Sequence, residues 1–234
     1  EHAPRAETPS PCDMILIAAS NGHLLITSEP DCEQDRLAQL VHGLSQLRGR
    51  EIVERTRGQV PDVHVPGAQA KQRQLLGAAA RSTLVLDLGD DDTRLASTFV
   101  TAVFSPRYRI RVIVLARDVT VADRVLGEYT RRLQHIWLPP VGNRPDEVDR
   151  RLDRLFMERG SALRVSQMLP EDQNALRTHD WPGNFASLRK AADILVAIHR
   201  LGSVPKAASA LQMAPSTLYY WFNETIGLSL PPRG

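Results

Sequence analysis

Residues 82–88 read STLVLDL and residues 109–116 read RIRVIVLA. Continuous apolar runs this short, rich in valine, leucine and isoleucine, suit strands covered on both faces, which is the environment of a parallel sheet. Working outward from them, the further strand candidates are HLLITS at 23–28, the stretch from Glu51 to Thr56, and MILIAA at 14–19. Longer amphipathic stretches separate these runs. Gln34 to Arg48 sets Leu37, Leu40, Val41, Leu44 and Leu47 on one helical stripe. Strands alternating with helices predict an α/β fold with a mostly parallel sheet flanked by helices over residues 13–140.

After Leu138, Pro139 and Pro140 the pattern becomes helical throughout. Asp146 to Glu158 carries Val148, Leu152, Leu155 and Phe156 at helical spacing, and further helices are expected over Pro170–His179 and Asn184–Leu201. Residues 141–184 therefore read as an all-α lid, and 185–234 as a separate terminal domain. That domain ends in two short helices, Pro205–Leu211 and Pro215–Glu224, joined by Gln212, Met213 and Ala214. A pair of helices with so tight a connection, and an earlier helix behind it, matches the helix-turn-helix unit that lays its second helix in the DNA major groove. Pro205 and Pro215 stand where a first helical turn can spare an N–H. Leu218 and Phe222 would bury, leaving Ser216, Thr217, Tyr220 and Asn223 outward.

Bulk properties exclude several classes. Of 234 residues, 42% are hydrophobic and 24% charged, the balance of a globular chain. A net charge of +2 is too mild to demand a polyanionic partner. Cys12 and Cys32 lack metal-ligand spacing and are too few for a disulfide framework, so a reducing, cytoplasmic compartment is expected. No apolar run approaches the length of a membrane helix. Residues 1–12, EHAPRAETPSPC, read as a flexible linker. No pair of histidines has metal spacing, and the Asp90, Asp91, Asp92 run lacks the spaced ligands of a calcium loop, so neither metal nor cofactor is expected.

Several ordered segments carry a resemblance. WPGNFASLRK at 181–190, LPPVGNRPDEV at 138–148, STLVLDLGD at 82–90 and AAxxLxMxxSTLY at 207–219 are similar to segments of the NtrC-type, sigma-54 enhancer-binding regulators. These join an AAA+ ATPase domain to a Fis-like helix-turn-helix domain. The resemblance spans roughly His23 to Leu230 and implies an AAA+-like sheet, a helical lid and a DNA-binding end.

The departures from the family pattern imply a degenerate nucleotide site. Where the family has a glycine-rich phosphate loop ending in lysine, this chain has Asp31, Glu33 and, at the lysine position, Gln34. Glycines admit backbone N–H groups to the phosphates and the lysine neutralises them. Two carboxylates instead oppose a polyphosphate by about 4 kcal/mol per close pair at intermediate dielectric. Asp87 stands at the magnesium position, where a lone carboxylate reads better as a turn cap. Leu88 replaces the glutamate that activates water, Arg117 the sensor asparagine, and Ala186 the lid arginine. The stretch from Gly127 to Gln134 is too short for the arginine-finger loop. Between Gly58 and Ala79 only Gly67 and Ala68 remain of the GAFTGA insertion that meets sigma-54.

The expectation is thus a non-enzymatic transcription regulator that binds double-stranded DNA as a homodimer through its C-terminal helices, with a protein or small-molecule effector as a further partner and no membrane. Ser216, Thr217, Tyr219, Tyr220 and Asn223 would reach bases or phosphates, with Lys206 and Arg200, beside Arg189 and Lys190, supplying the charge that the second helix lacks. Two other classes stay open: an ATP-dependent AAA+ activator, and an adaptor that meets a protein through Tyr219, Tyr220 and Trp221.

Overall fold

The computed structural model describes residues 16–17, 20, 22–56, 59–60, 66–89 and 95–229. The chain divides into two compact units, one comprising Glu1–Glu29 with Glu33–Leu138 and the other Pro30–Cys32 with Pro139–Gly234.

In the first unit the elements run β1 (Leu24–Thr27), α1 (Gln34–Gly43), β2 (Val53–Thr56), α2 (Ala68–Ala79), β3 (Thr83–Asp87), α3 (Ser97–Val103), β4 (Arg111–Ala116), α4 (Val119–Leu126), a 3-10 turn (Gly127–Arg132) and β5 (Gln134–Trp137). The strands form one sheet in the order β2-β3-β4-β1-β5, every pairing parallel. The apolar runs occupy its centre: β1 and β4 are buried along their whole length, and β3 up to its last residue. Arg111 opens β4 as a buried cation. Its guanidinium donates to the carbonyls of Gly22 (3.1 Å) and Ile17 (3.0 Å), and burial holds its pKa below the ordinary arginine value.

Three details differ from the sequence expectation. Leu16 and Ile17, inside the expected strand at 14–19, are helical, and the rest of that stretch lies outside the described residues. The edge strand β5 is not among the expected strands, because a strand paired only with β1 needs no continuous apolar run; of its residues only Ile136 is buried. Helix α1 stops at Gly43 and turns Ala38, Val41 and His42 inward, while Leu40 is 52% and Leu44 47% exposed. Polar groups take the inner stripe because the sheet satisfies them. The His42 ring bonds the Thr83 hydroxyl (2.8 Å) and the Arg50 carbonyl (3.0 Å), and Ser45 Oγ donates to the His42 carbonyl (2.7 Å). Gly67 and Ala68 simply open α2. His64 and Asp90–Asp92 lie outside the described residues.

The second unit is helical: a 3-10 turn (Val141–Asn143), α5 (Pro145–Glu158), a second 3-10 turn (Val165–Gln167), α6 (Pro170–Thr178), α7 (Asn184–Leu201), α8 (Val204–Ala210), α9 (Pro215–Tyr220) and a π-helical turn (Trp221–Ile226). Val148, Leu152 and Phe156 of α5 and Leu176 of α6 share a single buried cluster with Leu188, Ala192 and Leu195 of α7 and with Ala207, Ala208, Leu218, Phe222 and Leu228 beyond it. The spans 141–184 and 185–234 therefore fold around one core, with α7 as its central element.

Candidate functional site

In a parallel sheet, ligand chemistry sits at the carboxyl ends of the strands. Here Gln34, Asp87, Leu88 and Arg117 all stand at or near those ends in the first unit, and each is occupied locally. Gln34 opens α1, and its side-chain Nε2 donates to the carbonyls of Ala116 (2.9 Å) and Ser28 (3.5 Å), tying the ends of β4 and β1 together. Asp87 closes β3 and accepts the Gly89 N–H through Oδ1 (3.0 Å), so it caps the following turn. Leu88 is buried and its N–H bonds the Leu115 carbonyl (2.9 Å). Arg117 pairs with its neighbour Asp118 (3.4 Å). Asp118 in turn caps α4 by accepting the Val121 N–H (2.9 Å), the bond that chiefly holds its carboxyl below the usual carboxylate pKa. The α1 entrance keeps a left-handed backbone at Asp31 (φ 57°) and Glu33 (φ 62°) without glycine, and Glu33 pairs with Arg36 (2.9 Å). Each such residue costs about 1–2 kcal/mol relative to a right-handed one.

In the second unit the WPGN segment is a tightly bonded turn. Trp181 and Asn184 are both left-handed (φ 49° and 48°), which suits Asn184 by its short polar side chain. The Trp181 indole N–H donates to the Leu176 carbonyl (3.0 Å) and its ring is fully buried. Asn184, the N of the WPGN segment but not among the expected site residues, is only 2% exposed and makes side-chain bonds of both senses. Its Oδ1 accepts the Val141 N–H (2.9 Å) and its Nδ2 donates to the Pro30 carbonyl (3.0 Å). The Phe185 N–H adds a bond to the Asp31 carbonyl (3.1 Å). Gly142 is required opposite this turn, because a Cβ there would run into the Asp180 backbone. Ala186 is exposed on the first turn of α7. His179 packs edge-on against Trp181 (4.8 Å), and burial lowers its pKa, with Asp180 opposing.

The terminal helices carry the remaining candidates. Helices α8 and α9 are joined by Leu211–Ala214, where Gln212 is left-handed (φ 56°) and the Met213 N–H returns to the Ala208 carbonyl (2.9 Å). Leu218 and Phe222 are buried, while Ser216, Thr217, Tyr220 and Asn223 are exposed, Tyr220 by 66%. Tyr219 is half-buried against the shared core. Lys206 is exposed on α8. Arg200 is exposed too, but its guanidinium bonds the Arg159 and Gly160 carbonyls at the end of α5. Arg189 lies 3.9 Å from Asp31. Glu224, within the π-helical turn, is exposed and is not among the residues singled out from the sequence. Among the described residues, no group of three His, Cys, Asp or Glu side chains is placed to hold a metal, and no helix is long and apolar enough to cross a membrane.

No protein-family model and no curated protein sequence matches this chain. Solved structures do. NtrX from Brucella abortus in complex with ATP is 14% identical, the match covering 95% of this chain and 69% of that one with a TM-score of 0.61. The fold is AAA+-like. The ADP complex of the same NtrX matches at 14% identity and TM-score 0.60, covering 96% of this chain and 69% of that one. RuvB, the Holliday junction branch migration motor of Thermotoga maritima, matches at 10% identity and TM-score 0.54, covering 89% of this chain and 64% of that one. These likenesses establish the fold that the sheet order β2-β3-β4-β1-β5 and its flanking helices describe. The chain spans about two thirds of the length of each NtrX structure.

Proposed function

We propose that this chain is a transcription regulator that binds double-stranded DNA through its last three helices, as a homodimer, and does so without hydrolysing ATP. The observation that carries the reading is the two-sidedness of residues 215–226. Leu218, Phe222 and Ile226 face the core while Ser216, Thr217, Tyr220 and Asn223 face outward, on a helix that follows α8 after a four-residue turn. Hydroxyl and amide groups in that arrangement can reach base edges, and Lys206 with Lys190 can neutralise phosphates. The negative half of the proposal is supported at the strand ends. An ATP·magnesium complex needs a cation at the phosphates and a carboxylate beside the attacking water. Here Gln34 stands where the lysine would be and spends its amide on two carbonyls, and Leu88 is buried where the carboxylate would be. These residues do not fit that ligand.

Selection of bound duplexes from a genomic fragment library by the full chain, followed by fluorescence anisotropy across a salt series, tests the function. The expected result is a sequence-preferring complex that weakens with salt, together with no heat of ATP binding at millimolar concentration. A chain that prefers no duplex over any other would refute it. One observation favours a second reading, an ATP-dependent activator: the left-handed backbone at Asp31 and Glu33 is the conformation that phosphate-loop glycines provide, and NtrX of the same fold has been solved with ATP. That reading requires ATP-dependent phosphate release that Asp87→Ala abolishes.

A further inference from the structure

We propose that Glu224 is a base-reading residue, its carboxylate accepting the N4 amino group of a cytosine in the major groove; this rests on the DNA-binding function proposed above and names one of its specificity determinants. Leu218, Phe222 and Ile226 are all buried and lie strictly four residues apart. In an α-helix four residues overshoot one turn by about 40°, so the third position would have drifted by about 80° towards solvent. The chain avoids the drift by unwinding. From Trp221 to Ile226 it is π-helical, and the Gly227 N–H closes an i→i+5 bond on the Phe222 carbonyl (3.1 Å). Gly227 itself is left-handed (φ 80°) and ends the element.

The same unwinding resets the outer face. From Tyr220 to Glu224 a spacing of four now stays nearly in line there as well, and both residues are exposed. Glu224 is the only residue of 215–226 that is charged at neutral pH, and no hydrogen bond or ion pair holds it among the described residues. An unpaired carboxylate on a surface facing phosphates is unfavourable unless it meets a donor. In the major groove cytosine offers the N4 amino donor without an acceptor on the same base edge, whereas adenine sets the N7 acceptor beside its N6 donor. An ionised carboxylate only accepts hydrogen bonds, so cytosine is its better partner.

Sequencing of duplexes selected from a randomised library by the full chain, its Glu224→Ala variant and its Glu224→Gln variant tests this. The wild-type motif is expected to hold a cytosine in each half-site that Glu224→Ala flattens by about fivefold or more, with the other positions retained. Glu224→Gln, which can donate as well as accept, should move that position towards adenine. Since Glu224 is exposed and has no hydrogen bond or ion pair among the described residues, both variants should keep the wild-type melting temperature. Identical base preferences at every position in both variants would overturn the inference and leave DNA binding standing. A wild-type chain that selects no motif would overturn both.

Discussion

Replacing Phe222 by alanine tests whether the last helices are a detachable module or part of one folded body. Phe222 is 3% exposed and belongs to the cluster that also contains Phe156 of α5, Leu188 of α7 and Ala208 of α8. Truncating a fully buried phenylalanine costs about 3–5 kcal/mol, the lost transfer free energy plus a cavity that the neighbours only partly refill. Against a domain stability of about 5–15 kcal/mol this is a large fraction. If the core is continuous, the loss is felt wherever the core is felt. Hydrogen exchange of the backbone amides of α5 should then speed up with those of α8 and α9, by roughly two to nearly four decades when opening is limiting by equilibrium. Tyr220→Ala, at 66% exposure, should leave all of these rates within about 0.5 kcal/mol of wild type. A Phe222→Ala chain that accelerates exchange only beyond Ser203 while Val148, Leu152 and Phe156 keep their protection would show that the core is not continuous.

Three further outcomes are expected. Asn184→Ala leaves the Val141 N–H without its acceptor and puts alanine at φ 48°, so urea unfolding should report a loss of about 2–4 kcal/mol; Asn184→Asp, which keeps the acceptor but not the donor to Pro30, should fall between. Gln34→Ala removes the bonds to Ala116 and Ser28 and should lower stability by about 1 kcal/mol, whereas Gln34→Lys should still give no heat with ATP, because Asp31 and Glu33 remain. Burial lowers the folded pKa of His23, where Arg111 and Arg132 add to it, and partial desolvation lowers that of the more exposed His135, so the unfolded chain takes up their protons first. Stability is full above the unfolded value of 6.5 and falls as pH drops through it towards the lowered folded values; denaturant midpoints between about pH 7.5 and 5.5 should follow that slope, and His135→Gln should flatten it.

How much of this was legible in the sequence depended on whether one residue's neighbours were also its neighbours in space. The central strands β3 and β4 are buried by their own composition, so STLVLDL and RIRVIVLA declared them. Helix α7 declared itself through an apolar stripe, and α9 through Pro215 and the Leu218, Phe222 pair. The inner face of α1 did not, since what buries His42 is the Thr83 hydroxyl forty-one residues away. Edge strand β5 carries little apolar signal. The shared core was hidden for the same reason: a change of motif at residue 184 looks like a boundary in sequence, although Asn184 is bonded backward to Val141 and α7 packs on α5 and α8 alike. At the candidate DNA surface the outward residues 216, 217, 220 and 223 follow from periodicity, and Glu224, seven residues after Thr217, lies on the same outward arc, although hydroxyl and amide chemistry drew attention to the others first.

The cations of the second unit bear on the proposed assembly. Arg200 would have to leave the carbonyls of Arg159 and Gly160 to reach a phosphate, and Arg189 lies near Asp31. Among the described residues, exposed Lys190 and Lys206 are then the main phosphate partners one copy can offer. Two phosphate contacts give a salt slope of only about −1.8, too little electrostatic attraction for a specific site on their own. Two copies on two half-sites double the contacts to a slope of about −3.6 and make the second binding event intramolecular, with an effective concentration that multiplies the weak individual affinities. On the proposed function, a reading helix that carries a carboxylate and no cation makes affinity depend on dimerisation, so the expected salt slope is near the larger value and is lost together with dimerisation.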